Sequence, residues 1–198
     1  MRTLVFAWLF LFAGLASAQS TEALKAVAAA RAQMGVTTSY DPSYSRMAYP
    51  MGDVPQERGV CSDVVIRAYR KIGIDFQMLV HQDMKAHFSV YPKIWGLKKT
   101  DSNIDHRRVP NLEVFFKRKA KALPLSSNKD DFKPGDIVSW RLDNGLPHIG
   151  IVSNKKSLLG ARPLIIHNIG QGTQEEDVLF AWRIVGHYRW LNAAGANR

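Results

Sequence analysis

Cysteine is almost missing from this chain. Its 198 residues include one, Cys61, so no disulfide can form within it. Acidic side chains are also scarce, 17 against 27 basic ones, for a net charge of +10. Such a balance favours polyanionic surroundings, whether nucleic acid, acidic lipid or an anionic cell wall, or simply keeps a basic protein in solution. Long hydrophobic runs are lacking too. The apolar stretch Leu4 to Leu15 follows Met1-Arg2-Thr3 and is shorter than the ~20 residues needed to cross a bilayer. Internal repeats are absent, which excludes solenoids and propellers.

What is present at the start fits export. The charged Met1-Arg2-Thr3, the short apolar run and the small-x-small triplet Ala16-Ser17-Ala18 match a secretory signal peptide over residues 1–18, cleaved after Ala18. The expected mature chain, residues 19–198, suits one domain and a periplasmic or secreted location. Losing Arg2 lowers the net charge from +10 to +9. Export argues against nucleic acid as the partner. It also makes a solitary thiol unusual, because exported proteins normally pair their cysteines or have none. Cys61 is then either a small core hydrophobe or a free reactive group.

Its surroundings favour reactivity. Val64, Val65, Ala68, Tyr69 and Ile72 recur at helical spacing, with Asp63 in the first turn, Arg67, Arg70 and Lys71 toward the end, and Gly73 placed to cap the C-terminus. Cys61 opens that helix, where unpaired backbone N–H groups point outward. A helix N-terminus and a neighbouring imidazolium can each lower a thiol pKa well below about 8.5. Elsewhere, the Ala-rich segment Thr21 to Met34 reads as a helix ending at Gly35. Val36 to Arg58 reads as a loop carrying Tyr40, Tyr44 and Tyr49. Phe76 to Pro110 reads as irregular, and Asn111 to Ala122 as a helix with Leu112, Phe115 and Phe116 on one side.

From Asp136 onward the pattern becomes strand-like. Ile137 to Leu142, His148 to Ser153, Leu164 to Ile169, Leu179 to Val185 and His187 to Leu191 are the expected strands, with a hairpin turn at Asn144-Gly145. Helices first and antiparallel strands afterward predict an α+β domain. By alternation His148 shares a face with Gly150 and Val152, and His167 one with Ile165 and Ile169. A thiol at a helix start, followed by two strand-borne imidazoles, is the order of a nucleophile, a base and the group that orients the base.

Pro134-Gly135-Asp136-Ile137-Val138, then His148-Ile149-Gly150-Ile151, then Leu164-Ile165-Ile166-His167, resembles the second half of the NlpC-type cell-wall peptidase family. The upstream Cys61-Ser62 helix and Tyr40 resemble that family's catalytic helix and tyrosine, within an exported branch recorded as a domain of unknown function. The resemblance implies a papain-like α+β fold, with N-terminal helices packed on an antiparallel sheet. It also implies a cysteine peptidase or amidase cleaving an amide bond in peptidoglycan peptides. Cys61 would be the nucleophile, His148 the base and His167 its orienting partner. Tyr40 would help the Cys61 N–H hold the oxyanion, a donor whose loss typically costs ~100–1000-fold in rate. Ser62, Asp63, Arg107 and Trp140 are the candidates for substrate binding. No cofactor is implied, and the chain is expected to be a monomer. Val60 and Asp63 stand where the family has Asp before the cysteine and Gly after the serine, which loosens the usual D-glutamyl specificity.

Other readings compete. Cys61, His148 and His167 could hold zinc, although their spacing matches no zinc signature. His106-Arg107-Arg108 and Glu175-Glu176-Asp177 read either as solvated segments or as binders of substrate carboxylate and amine. Trp95, Trp140, Trp182 and Trp190 read mostly as core, while His81, His87 and His187 show no usable spacing. A cell-wall-binding protein without catalysis, or a secreted effector or toxin sharing the chemistry, would display much the same sequence.

Overall fold

The computed structural model describes residues 21–190, so the expected signal peptide lies outside the described residues. Within them the first helix, α1, covers residues 21–31 and unwinds through a turn to Gly35, whose φ of +75° only glycine adopts readily. A short parallel pair follows, β1 (Ser39–Tyr40) with β2 (Arg58–Gly59). Helix α2 (Cys61–Arg70) begins directly afterward, as its stripe predicts. Val64, Val65, Ala68 and Tyr69 are buried, and each of the two valines contributes on the order of 1.5–3 kcal/mol.

The expectation of an irregular Phe76–Pro110 is corrected in its first third. Helix α3 (Phe76–Ala86) occupies it, with Asp75 as N-cap accepting from the Gln77 N–H and Phe76, Val80 and Met84 buried at i, i+4, i+8. Helix α4 (Val109–Lys119) starts two residues before Asn111. It can do so because Pro110 sits in the first turn, where a missing N–H costs nothing. Leu112, Phe115 and Phe116 bury as expected, in an aromatic cluster with Phe76 and Trp190.

The remaining strands are β3 (Lys121–Ala122), β4 (Ile137–Arg141), β5 (Pro147–Lys156), β6 (Pro163–Asn168), β7 (Thr173–Glu176) and β8 (Arg183–Arg189). They form one antiparallel sheet in the order β3-β8-β4-β5-β6-β7. Two expectations change here. Strand β7 was not anticipated. Leu179 belongs to a turn rather than a strand, so the two last expected strands become the single β8. The protein is α+β, with helices on one face of this sheet.

Alternation sorts the sheet into two apolar layers. Ile137, Ile149, Ile151, Ile166 and Tyr188 pack with the helices and with Cys61. Val138, Trp140, Val152 and Ile165 pack on the far side with Phe132 and Leu179, and Trp182 lies against that layer. The Pro134-Gly135-Asp136 turn has a structural cause. Buried Asp136 accepts from Arg189 at 2.6 Å, from the Lys133 N–H at 2.8 Å, and lies 2.8 Å from His187 Nε2.

The loop between β1 and β2 is fastened along its length. Arg107 donates to the carbonyls of Asp41 and Ser43, and Arg67 to those of Val54, Pro55 and Arg58. The Met51 and Gly52 N–H groups donate to Asp75 and Gln77 of the α3 start.

Candidate active site

Cys61 occupies the first turn of α2 and is 3% exposed. It meets the sheet at the edge of β5, where the Ile149 N–H is directed at the sulfur together with the N–H groups of Ser62 and Cys61. Space for that approach comes from a divergence of two strands. The β5–β6 ladder begins at Ile151–Ile166, so His148 and Ile149 have no ladder partner on the β6 side among the described residues. Asn168, at the end of β6, instead donates to the carbonyls of Ser39 and Gly59, tying β6 to the β1–β2 pair. Tyr40, on β1, is 39% exposed and lies beside Cys61.

The two histidines are brought together. His148 Nε2 lies 2.8 Å from His167 Nδ1, with the rings at 75° to each other. Gly150 makes the approach possible, since a Cβ there would stand 2.7 Å from Ile165 Cγ2 and 3.2 Å from His167 Cβ. Both imidazoles point into the layer of Trp140 and Trp182, as their shared faces with Val152 and Ile165 require. Sequence reasoning expected the α2 N-terminus to pack on that same face. Instead α2 covers the alternate positions Ile149, Ile151 and Ile166, and Cys61 packs with that layer. Among the described residues no hydrogen bond joins the sulfur to either imidazole.

Electrostatics in this closed site differ from the sequence expectation of an ionised sulfur. Burial pushes the Cys61 thiol up to about 12, against the three N–H groups aimed at it, and the charge of Asp63 adds to the rise. Burial, with His167 as a second cause, lowers His148 to about 3. His167 is also lowered by burial, opposed by Glu176. Burial thus favours the neutral forms of the Cys61 thiol and the His148 imidazole, and the helix N-terminus serves a different anion. Asp63 accepts from the Val60 N–H at 2.7 Å, the bond that caps α2.

The candidate substrate contacts fall into internal roles. Asp63 and Arg107 form a buried ion pair at 2.9 Å, and the Ser62 hydroxyl donates to the Arg107 carbonyl at 2.8 Å. Trp140 is fully buried and donates through its indole N–H to the Leu179 carbonyl at 3.0 Å. These four were expected to face substrate. They face one another or the core because each polar group already has a protein partner.

One residue of the site was missed. Glu176, on β7, places Oε2 2.9 Å from His167 Nε2. Its neighbours in the expected solvated turn are also bound, Glu175 to Arg31 and Asp177 to Arg162. The only available signal was the period of two, which puts Gln174 and Glu176 on one face once β7 is recognised. Among the described residues, no group of three or more His, Cys, Asp or Glu is arranged to hold a metal ion.

A family model described as "Domain of unknown function (DUF1287)" matches residues 27–190. The chain belongs to the DUF1287 family. A curated relative, "Uncharacterized protein YijF" of Escherichia coli (strain K12), is 63% identical over 162 residues, covering 82% of this chain and 78% of the relative. Among solved structures, this DUF1287 protein is similar to NlpC1 from Trichomonas vaginalis, at 15% identity and TM-score 0.46, over 85% of this chain and 44% of the other. NlpC2 from the same organism gives 14% identity and TM-score 0.46, over 84% and 47%. The chain thus spans less than half the length of either solved protein.

Proposed function

We propose that this DUF1287 protein is an exported cysteine hydrolase that cleaves an amide bond in peptidoglycan peptides, with Cys61, His148 and His167 as its working groups. The observation that carries the reading is the 2.8 Å bond between His148 and His167, on strands whose pairing stops short of Ile149, the residue whose N–H faces the Cys61 sulfur. A core histidine pair would need neither the interrupted pairing nor a helix-start thiol beside Ile149.

In this scheme the substrate carbonyl enters at Tyr40, the exposed member of the group. His148 takes the Cys61 proton as the sulfur attacks, so the nucleophile is activated by a general base rather than by standing ionisation. The Tyr40 hydroxyl and the Cys61 N–H hold the oxyanion. Protonated His148 then gives its proton to the leaving amine. A water molecule, deprotonated by His148, hydrolyses the thioester. The imidazolium forms next to His167, whose Nδ1 accepts a hydrogen bond from its Nε2–H. Every step uses side chains already in the site, and the positively charged surface suits an anionic wall.

Murein fragments incubated with purified protein and analysed by mass spectrometry provide the test. Wild-type protein is expected to release peptides, Cys61→Ala and His148→Ala to release none above background, and His167→Ala to retain a remnant. Equal release by Cys61→Ala would reject the assignment. A wall-binding protein without catalysis is the second reading, favoured by the neutral, buried thiol. It predicts co-sedimentation with sacculi and no released peptide from any variant.

A further inference from the structure

We propose that Glu176 is a positioning residue that, through His167, selects which nitrogen of His148 carries the proton, and so leaves His148 Nδ1 as the basic atom. This rests on the reading of His148 as the base. The inference follows from two bonds in series, His148 Nε2 to His167 Nδ1 at 2.8 Å and His167 Nε2 to Glu176 Oε2 at 2.9 Å.

A neutral imidazole has one donor and one acceptor nitrogen, and an ionised carboxylate only accepts. Glu176 therefore requires the His167 proton on Nε2. That leaves His167 Nδ1 as a lone pair, which requires the His148 proton on Nε2. The only lone pair left unengaged in the two rings is that of His148 Nδ1. With the carboxylate removed, the His148–His167 bond can form equally well with both protons moved to the Nδ1 positions, because each ring can donate or accept. Two tautomers of the pair then compete, and one of them blocks the base. Burial of both rings keeps them neutral and so keeps the choice of tautomer meaningful.

The placement of Glu176 is specific. Strand β7 pairs with β6 so that Gln174 stands opposite His167 and Glu176 opposite Ile165, on the face that His167 shares. Glu176 itself keeps 46% of its side chain exposed. It can be replaced without opening the core, and its role is separable from folding.

The test is long-range 1H–15N correlation of the imidazoles in the 15N-labelled full chain, with His148→Gln and His167→Gln used for assignment. Wild-type protein at neutral pH is expected to show both rings as Nε2–H tautomers. Glu176→Ala is expected to show a mixture, with an unchanged melting temperature. Glu176→Gln, whose amide oxygen can still accept, should restore the wild-type pattern. Murein turnover should fall on the order of 10–100-fold in Glu176→Ala, the range seen where carboxylates that orient an imidazole are removed. A wild-type His167 protonated on Nδ1, or tautomers unchanged in Glu176→Ala, would overturn the proposal. The spectra do not need turnover. Expected tautomers with no cleavage by wild-type protein would support the relay and sink the hydrolase reading instead.

Discussion

At the scale of single residues, Cys61 shows how two local effects of opposite sign are decided by their surroundings. The sequence places the thiol at a helix start, where backbone N–H groups favour the anion, and those groups do point at the sulfur. Burial outweighs them, and the charge of Asp63 adds to the rise. The consequence is measurable. Alkylation of Cys61 by iodoacetamide should be slow at pH 8 and should rise about tenfold per pH unit up to pH 10, because the thiolate fraction grows below a pKa of about 12. A rate already at its plateau by pH 8, followed by intact-mass measurement, would show an ionised sulfur and contradict this. Glu176 is the residue that could not be read in advance. It lies nine positions beyond His167, across a turn, and only the pairing of β7 brings it near.

At the scale of elements, the strongly periodic segments were legible. Helix α2, the apolar side of α4 and the strands β4, β5 and β6 lie close to their expected positions, and the shared faces of His148 with Val152 and of His167 with Ile165 hold. Helix α3 carried the same kind of signal in Phe76, Val80 and Met84 after an Asp75 cap. Polar Gln77, His81, Gln82 and Asp83 between them hid it. What no pattern could give was which face α2 covers, since that depends on the whole sheet. The joint between α2 and the β1–β2 loop depends on Arg107. Replacing it with Ala leaves Asp63 buried without its counter-charge and frees the carbonyls of Asp41 and Ser43. Arg107→Ala should destabilise the fold by ~3–5 kcal/mol, read by chemical denaturation. A loss below ~1 kcal/mol, the range of exposed pairs, would mean the bridge contributes little.

For the whole molecule, the buried imidazoles set the acid limit. His148 and His106 are each lowered by burial from 6.5 to about 3. A lowered folded pKa means that the unfolded chain takes up the proton first, so stability is complete above pH 6.5 and declines as pH falls toward 3. Glu175 adds a later loss. Burial pushes its carboxyl up, but bonds from Arg31, Ser153 and Lys155 outweigh that and hold it at about 2, so its contribution fades from 4.5 downward. The urea midpoint should therefore begin to drop near pH 6.5, and more steeply below 4.5. A midpoint constant from pH 7 to pH 5 would refute the assignment of neutral buried rings.

The stitched loop beyond Tyr40 carries a final implication. With its carbonyls held by Arg67 and Arg107, and Met51 and Gly52 pinned to the start of α3, it has little freedom left to surrender when something docks beside it. In the proposed hydrolase, a substrate lying beside Tyr40 would therefore lose little entropy to ordering this loop.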